Sequence, residues 1–164
     1  MKTKRRSFEA GHKRKYLVVI DDTDECERAV HWAAKRVGRT KSQLIMLRVI
    51  ETSERNQQWL GVADIMKAEE MEAAEKALDK YAAVAKKVSH HTPDRVIREG
   101  DAAEEVVKLI DEDADIGILV LAAGVGKEGP GPLVSSICKT ASNFPIPVAI
   151  VPGHLSDDEL DAMA

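Results

Sequence analysis

The chain has 164 residues, 44% of them hydrophobic and 32% charged, with a net charge of −4. That length suits one domain with a sizeable core and excludes two ordinary ones. No apolar run approaches the roughly 20 residues of a membrane span. The basic start is not followed by the apolar stretch of a secretory signal.

Lys2, Lys4, Arg5, Arg6, Lys13, Arg14 and Lys15 crowd the beginning, and Asp157, Asp158, Glu159 and Asp161 crowd the end. Charge runs of this kind are expected to be solvated. Residues 1–14 are therefore read as a basic, flexible arm, 15–153 as the folded domain, and 154–164 as an acidic, flexible tail. The body is acidic and only 4% aromatic, so neither nucleic acid nor a membrane is expected as partner. The two cysteines, Cys26 and Cys138, are too few for a disulfide framework and lack metal-ligand spacing. They suit a reducing, cytoplasmic setting.

Residues 16–20 form an apolar, β-branched run and predict the first strand. The turn Asp21-Asp22-Thr23-Asp24 follows. Cys26, Val30, Ala33 and Val37 then share one face at helical spacing, and Gly38 is the expected stop of that helix. Residues 44–50 predict a second strand, and 52–61 a longer polar connection. A long helix is expected over 63–88, with Ala74, Ala77, Leu78, Tyr81, Ala85 and Val88 inward and Glu72–Lys76 as an ion pair one turn apart. His90-His91-Thr92-Pro93 breaks it. A short strand over 95–98 precedes Gly100-Asp101, which opens a helix over 102–112. Residues 117–123 read as a buried strand, 133–142 as a helix and 147–151 as a fifth strand ended by Pro152-Gly153.

Strands alternating with helices imply right-handed crossovers and a parallel sheet covered on both faces. The expected fold is a single-domain α/β open sheet of five parallel strands, with the first strand near the middle and about two helices on each face. Ligands of such sheets bind beyond the carboxyl ends of the strands, where strand order switches. Four segments are expected there: 21–23, 49–52, 100–101 and 122–136.

The last of these is the most informative. Gly124-Val125-Gly126-Lys127-Glu128-Gly129-Pro130-Gly131-Pro132 runs from a buried strand toward Ser135-Ser136. A Gly-rich loop between a strand and a helix N-terminus is where α/β proteins hold phosphate. Gly124, Gly126, Gly129 and Gly131 offer a different cradle in a shifted loop, with Lys127 supplying charge, but Pro130 and Pro132 remove two N–H donors from it.

The chain resembles the universal stress protein family from Lys15 to Pro152. The resemblance rests on four pieces in order. They are Leu17-Val18-Val19-Ile20-Asp21, Leu47-Arg48-Val49-Ile50, Gly100-Asp101-Ala102-Ala103-Glu104-Glu105 and Pro145-Ile146-Pro147-Val148-Ala149-Ile150-Val151-Pro152. It implies the adenine-nucleotide α-hydrolase-like version of the fold and a homodimer meeting at the last strand, with Val148 and Ile150 at the interface. ATP-binding members carry Gly-x2-Gly-x9-Gly-Ser/Thr after the fourth strand. Ungapped, that pattern falls on Ala122, Val125, Ser135 and Ser136, and only Ser136 fits. Val125 puts a β-branched side chain where glycine lets backbone N–H groups reach phosphate. The resemblance thus implies the fold and a non-enzymatic dimeric stress-response module without tight ATP binding. No cofactor is expected. If ATP or AMP binds, the alignment assigns Asp21 and Val49 to the base or ribose, and Gly124, Gly126, Ser135 and Ser136 to the phosphates.

Two alternatives use the same crevice: an ATP- or AMP-binding protein with slow hydrolase activity, and a receiver-like phosphoacceptor in which Asp21-Asp22 hold Mg²⁺. The receiver needs an Asp ending its third strand and a Lys ending its fifth. This sequence offers Glu99 or Gly100 and Pro152. The acidic pair reads first as a helix cap, second as a nucleotide contact and third as a metal site. His31, His90, His91 and His154 have no shared metal-site spacing. Ser135-Ser136 lacks the Gly-x-Ser-x-Gly elbow of a hydrolase and reads as a cap or early helix turn. No acid, base and nucleophile come together, so no catalytic residue and no metal ligand is assigned.

Overall fold

The computed structural model describes residues 3–51 and 60–164. Five strands, β1 Lys15–Val19, β2 Gln43–Ile50, β3 Asp94–Glu99, β4 Ile116–Ala123 and β5 Val148–Pro152, alternate with helices α1 Cys26–Thr40, α2 Leu60–Ser89, α3 Ala102–Glu112 and α4 Pro132–Lys139. A last helix, α5, spans Asp157–Met163. All strand pairs are parallel. The order is β3-β2-β1-β4-β5, with β1 in the middle as expected.

Alternation along the strands feeds two cores. Tyr16 and Val18 of β1 join Val30, Ala33 and Val37 of α1 and Leu78, Tyr81 and Ala85 of α2 on one face. Leu17 joins Val106, Leu109 and Ile110 of α3 and Val134 and Ile137 of α4 on the other. A central parallel strand is buried on both faces, which is why β1 and β4 read as unbroken apolar runs. The predicted inward faces of α1 and α2 are the ones buried, and Glu72–Lys76 pairs at 3.3 Å.

The structure differs from the sequence reading at several points. Helix α1 passes through Gly38 and closes at Lys41, whose left-handed φ of 54° lets its N–H reach Val37 O. Gly38 lies where α1 passes the end of α2, and a Cβ there would stand 3.5 Å from the Ser89 backbone, an ordinary contact, so packing does not require glycine at this position. Helix α4 stops at Lys139, followed by a 3-10 turn over Ala141–Asn143. The polar connection read over 52–61 lies outside the described residues from 52 to 59, and its last two residues already belong to α2.

Both chain ends, read as free and solvated, make defined contacts. Arg5 Nη1 donates to the carbonyls of Ile110, Asp113 and Ile116 at 2.7, 3.0 and 3.2 Å, closing the end of α3 and the start of β4. His12 meets Asp115 and Lys15 meets Asp113, each at 2.7 Å. At the other terminus Ser156 and Glu159 form a capping box for α5. Leu160 is fully buried in the first core. Arg28 pairs with Asp157, and His31 with Asp161, both at 2.7 Å. Charge runs looked solvated in sequence because their partners lie about 100 to 130 positions away.

Candidate functional site

In this strand order the connections reverse direction between β1 and β4, both central strands. The loops after them therefore diverge to opposite faces and leave a crevice at the carboxyl ends of the strands. A cavity of about 590 Å³ lies there. That volume is in the range of small-molecule sites, roughly 300–1,000 Å³. Val19, Val49, Leu121 and Leu133 give it apolar walls, and Asp21, Asp22, Glu25, Glu51, Glu70 and Asp101 make its polar lining acidic.

Of the residues assigned by alignment, Asp21, Val49 and Ser136 line the cavity. Asp21 closes the turn after β1: its Oδ1 accepts the Thr23 N–H at 2.9 Å and the Thr23 hydroxyl at 2.5 Å. Asp22 pairs with Arg48 at 2.9 Å. Neither caps α1, whose N-cap position is Glu25 with no side-chain cap bond. The cap reading of the acidic pair is thus corrected, because the turn places both carboxylates too early to reach the helix's first N–H groups. Asp101 is the residue that caps, accepting the Glu104 N–H at 3.1 Å for α3.

Gly124, Gly126 and Ser135 stand outside the cavity wall. The Gly124 N–H donates to Pro130 O at 3.1 Å, and the Gly129 N–H to Gly126 O at 3.2 Å. The loop therefore bonds to itself. The Ser135 N–H goes to Gly131 O inside α4. Gly131, at φ 109°, is the N-cap of α4 and Pro132 opens it, so Ser135-Ser136 lie in an early turn and not at the cap. Gly129 and Gly131 both have positive φ, which explains why glycine recurs at these two positions. Val125 is 69% exposed and turns away from the cavity.

Three charged lining residues were not assigned to the site from the sequence: Glu25, Arg48 and Glu70. Arg48 carried a signal, a lone cation in an otherwise apolar strand. Its side chain is 13% exposed. Nη1 donates to Ile20 O at 3.4 Å, and Nη2 pairs with Asp22. Its Nε is buried without a hydrogen-bond partner among the described residues. Cys26 also lines the cavity. Burial pushes its thiol up to about 12, so it is neutral near pH 7 and no nucleophile. Thr52, expected at the crevice, lies outside the described residues. Among the described residues no group of three or more His, Cys, Asp or Glu is arranged to hold a metal ion. No described helix is long and apolar enough to cross a membrane.

The strand order also separates this crevice from a receiver domain, whose order is 2-1-3-4-5 and whose site lies between its first and third strands. Here β1 is flanked by β2 and β4, and β3 is an edge. A residue ending β3 is two strands from Asp21, so the receiver alternative loses its geometry.

Together these features define an open parallel α/β domain with a ligand crevice at its β1/β4 switch point. The family model that matches residues 13–152 is that of the universal stress protein family. The chain belongs to that family. No curated protein matches it by sequence. Among solved structures, universal stress protein UspA from Lactobacillus plantarum superposes with a TM-score of 0.70 at 17% identity, covering 85% of this chain and 97% of that one. An Arabidopsis thaliana family member with AMP bound gives 0.59 at 14% identity, covering 88% and 94%. The Archaeoglobus fulgidus protein in complex with dAMP gives 0.57 at 14%, covering 84% and 97%.

Proposed function

We propose that this chain is a non-enzymatic, dimeric stress-response module whose crevice accepts the adenosine part of an adenine nucleotide without holding ATP tightly. The observation that carries this reading is the loop after β4. Pro130 and Pro132 have no N–H, and the N–H groups of Gly124 and Gly129 are committed to carbonyls of the same loop. A charged acceptor gains roughly 1.5–3 kcal/mol from each backbone N–H it engages. Two or three missing donors carry a micromolar site toward millimolar or weaker. The apolar walls and Asp21 remain suited to a base and ribose, and two structural neighbours carry AMP and dAMP. Chemistry is disfavoured because the cavity's thiol is neutral and the hydroxyl beside a carboxylate, Thr23, is held in closing the Asp21 turn. Calorimetry with adenosine, AMP and Mg-ATP tests the reading. The expected result is no low-micromolar dissociation constant for Mg-ATP; a value in that range refutes it.

The dimer is proposed at β5. This strand pairs only with β4, leaving its other edge open. Ile150 is 40% exposed, and Val148, on the same face, is half-buried against the second core. An open apolar edge is normally covered or paired. Light scattering is expected to give twice the 18.0 kDa chain mass. Ile150→Asp is expected to shift it to one chain with the melting temperature little changed. A wild-type mass of one chain at micromolar concentration counts against the dimer.

A further inference from the structure

The cavity wall holds one carboxylate whose position has a consequence for ligand choice. Glu25 sits at the N-cap of α1 with its side chain half-buried. A Cβ placed on Gly124 would stand 3.0 Å from Glu25 Oε1 and 3.1 Å from Gly129 O. A Cβ on Gly153 would stand 2.9 Å from the Glu25 Cβ. Two glycines therefore admit this side chain, and its carboxylate lies against the loop that runs from β4 into α4. That is the position a nucleotide's phosphates take in open α/β sheets. No hydrogen bond or ion pair joins the Glu25 carboxylate to any other described residue. Among the described residues the cavity's one cation, Arg48, is engaged by Asp22.

We propose that Glu25 is a specificity-determining residue that excludes phosphate from the crevice, so that the ligand class is an adenine nucleoside with an uncharged or cationic 5′ substituent. The inference rests on the crevice reading above and sharpens it. A phosphate entering beside Gly124 meets the Glu25 carboxylate and the negative end of the Gly129 carbonyl dipole. The Gly124 and Gly129 N–H groups are engaged within the loop, and Lys127, the loop's cation, is exposed and outside the cavity lining. Like charges held a few ångströms apart in a partly desolvated site repel strongly. A nucleoside meets the same apolar walls without that repulsion. The expected order of affinity is adenosine over AMP over ATP, the reverse of a site built around phosphate.

Calorimetry on the full chain with adenosine and AMP tests this. The wild type is expected to bind adenosine at least ten-fold more tightly than AMP, and that gap is expected to narrow as salt is raised. Glu25→Gln keeps the shape and removes the charge; it is expected to bring AMP to within about three-fold of adenosine by improving AMP alone. Glu25→Ala provides a second route should Gln disturb the loop, with the same expected outcome. Glu27→Gln, on the same helix turn, is expected to leave the ratio unchanged. AMP binding as tight as adenosine in the wild type, or an unchanged ratio in both Glu25 variants, overturns the proposal while leaving the crevice reading in place. Failure of adenosine itself to bind removes the crevice reading and this inference with it.

Discussion

At the amino ends of the strands, Arg5, His12 and Lys15 each close on carbonyls or carboxylates of the α3–β4 connection. At the carboxyl ends, Glu25 and the Nε of Arg48 have no partner among the described residues. The chain thus satisfies these three charges at one end of the sheet, while at the other Asp22 and Arg48 pair and the Glu25 carboxylate and the Arg48 Nε stay open. A buried polar atom without a partner is costly, so the Arg48 Nε persists where something other than stability requires it. The closed end holds the first strand, its arm and α3 together. The open end is where a ligand's groups have something to meet.

Breaking the closed end is expected to have the largest effect on stability. Arg5→Met leaves the carbonyls of Ile110, Asp113 and Ile116 without that donor. A loss of about 2–3 kcal/mol is expected, since bonds to a charged donor are the stronger kind. For a chain of this size that lowers Tm by about 4–12 °C in thermal unfolding. A shift under about 1 °C, the scale of a solvated arm, would show that residues 3–14 do not stabilise the domain.

Gly153→Ala tests the seam between the ends of β4 and β5 and the start of α1. Its Cβ would meet Ala123 O at 2.6 Å and Glu25 Cβ at 2.9 Å, and neither backbone nor helix start can move freely. A cost of about 1–3 kcal/mol is expected, with the Glu25 carboxylate displaced from the loop. Chemical denaturation gives the cost, and AMP binding in the same variant reports the displacement. Unchanged stability would mean that the loop yields.

A smaller effect is expected at α5. The hydrogen bond from His31 holds the Asp161 carboxyl below its ordinary value near 3.8. A depressed carboxyl contributes stability that is fully present above the ordinary value and is lost as pH falls through the folded one. Asp161→Asn is therefore expected to lower Tm near neutral pH, with the difference from wild type vanishing once pH falls well below 3.8. Fluorescence of Trp32, next in chain to His31, follows the transition. A difference that grows in acid would reverse the sign and exclude this pairing as its source.

The smallest change is expected at Glu25. It has no partner to lose, so Glu25→Gln is expected to alter stability by less than about 0.5 kcal/mol while it alters ligand choice. A large destabilisation would move Glu25 from the open end's function to the closed end's architecture.

Local sequence determined the elements and their order. Apolar runs announced β1, β2 and β4, helical spacing announced the inward faces of α1 and α2, and Gly100-Asp101 marked the start of α3 to the residue. It also placed Asp21, Val49 and Ser136 at the crevice through the resemblance. Those properties are legible because each depends on residues within one or two turns of the chain. Tertiary structure alone decided the rest. Gly38 looks like a helix stop until α1 is seen to run on to Thr40, and the engagement of the Gly124 and Gly129 N–H groups by carbonyls of their own loop has no sign in the sequence. The terminal charges look solvated until Asp113, Asp115 and α1 supply their partners. Glu25 reads as one more acid before a helix. Only the packing of α1 against Gly124 and Gly153 sets its carboxylate into the loop, and contacts about 100 positions apart leave no periodic trace in a sequence.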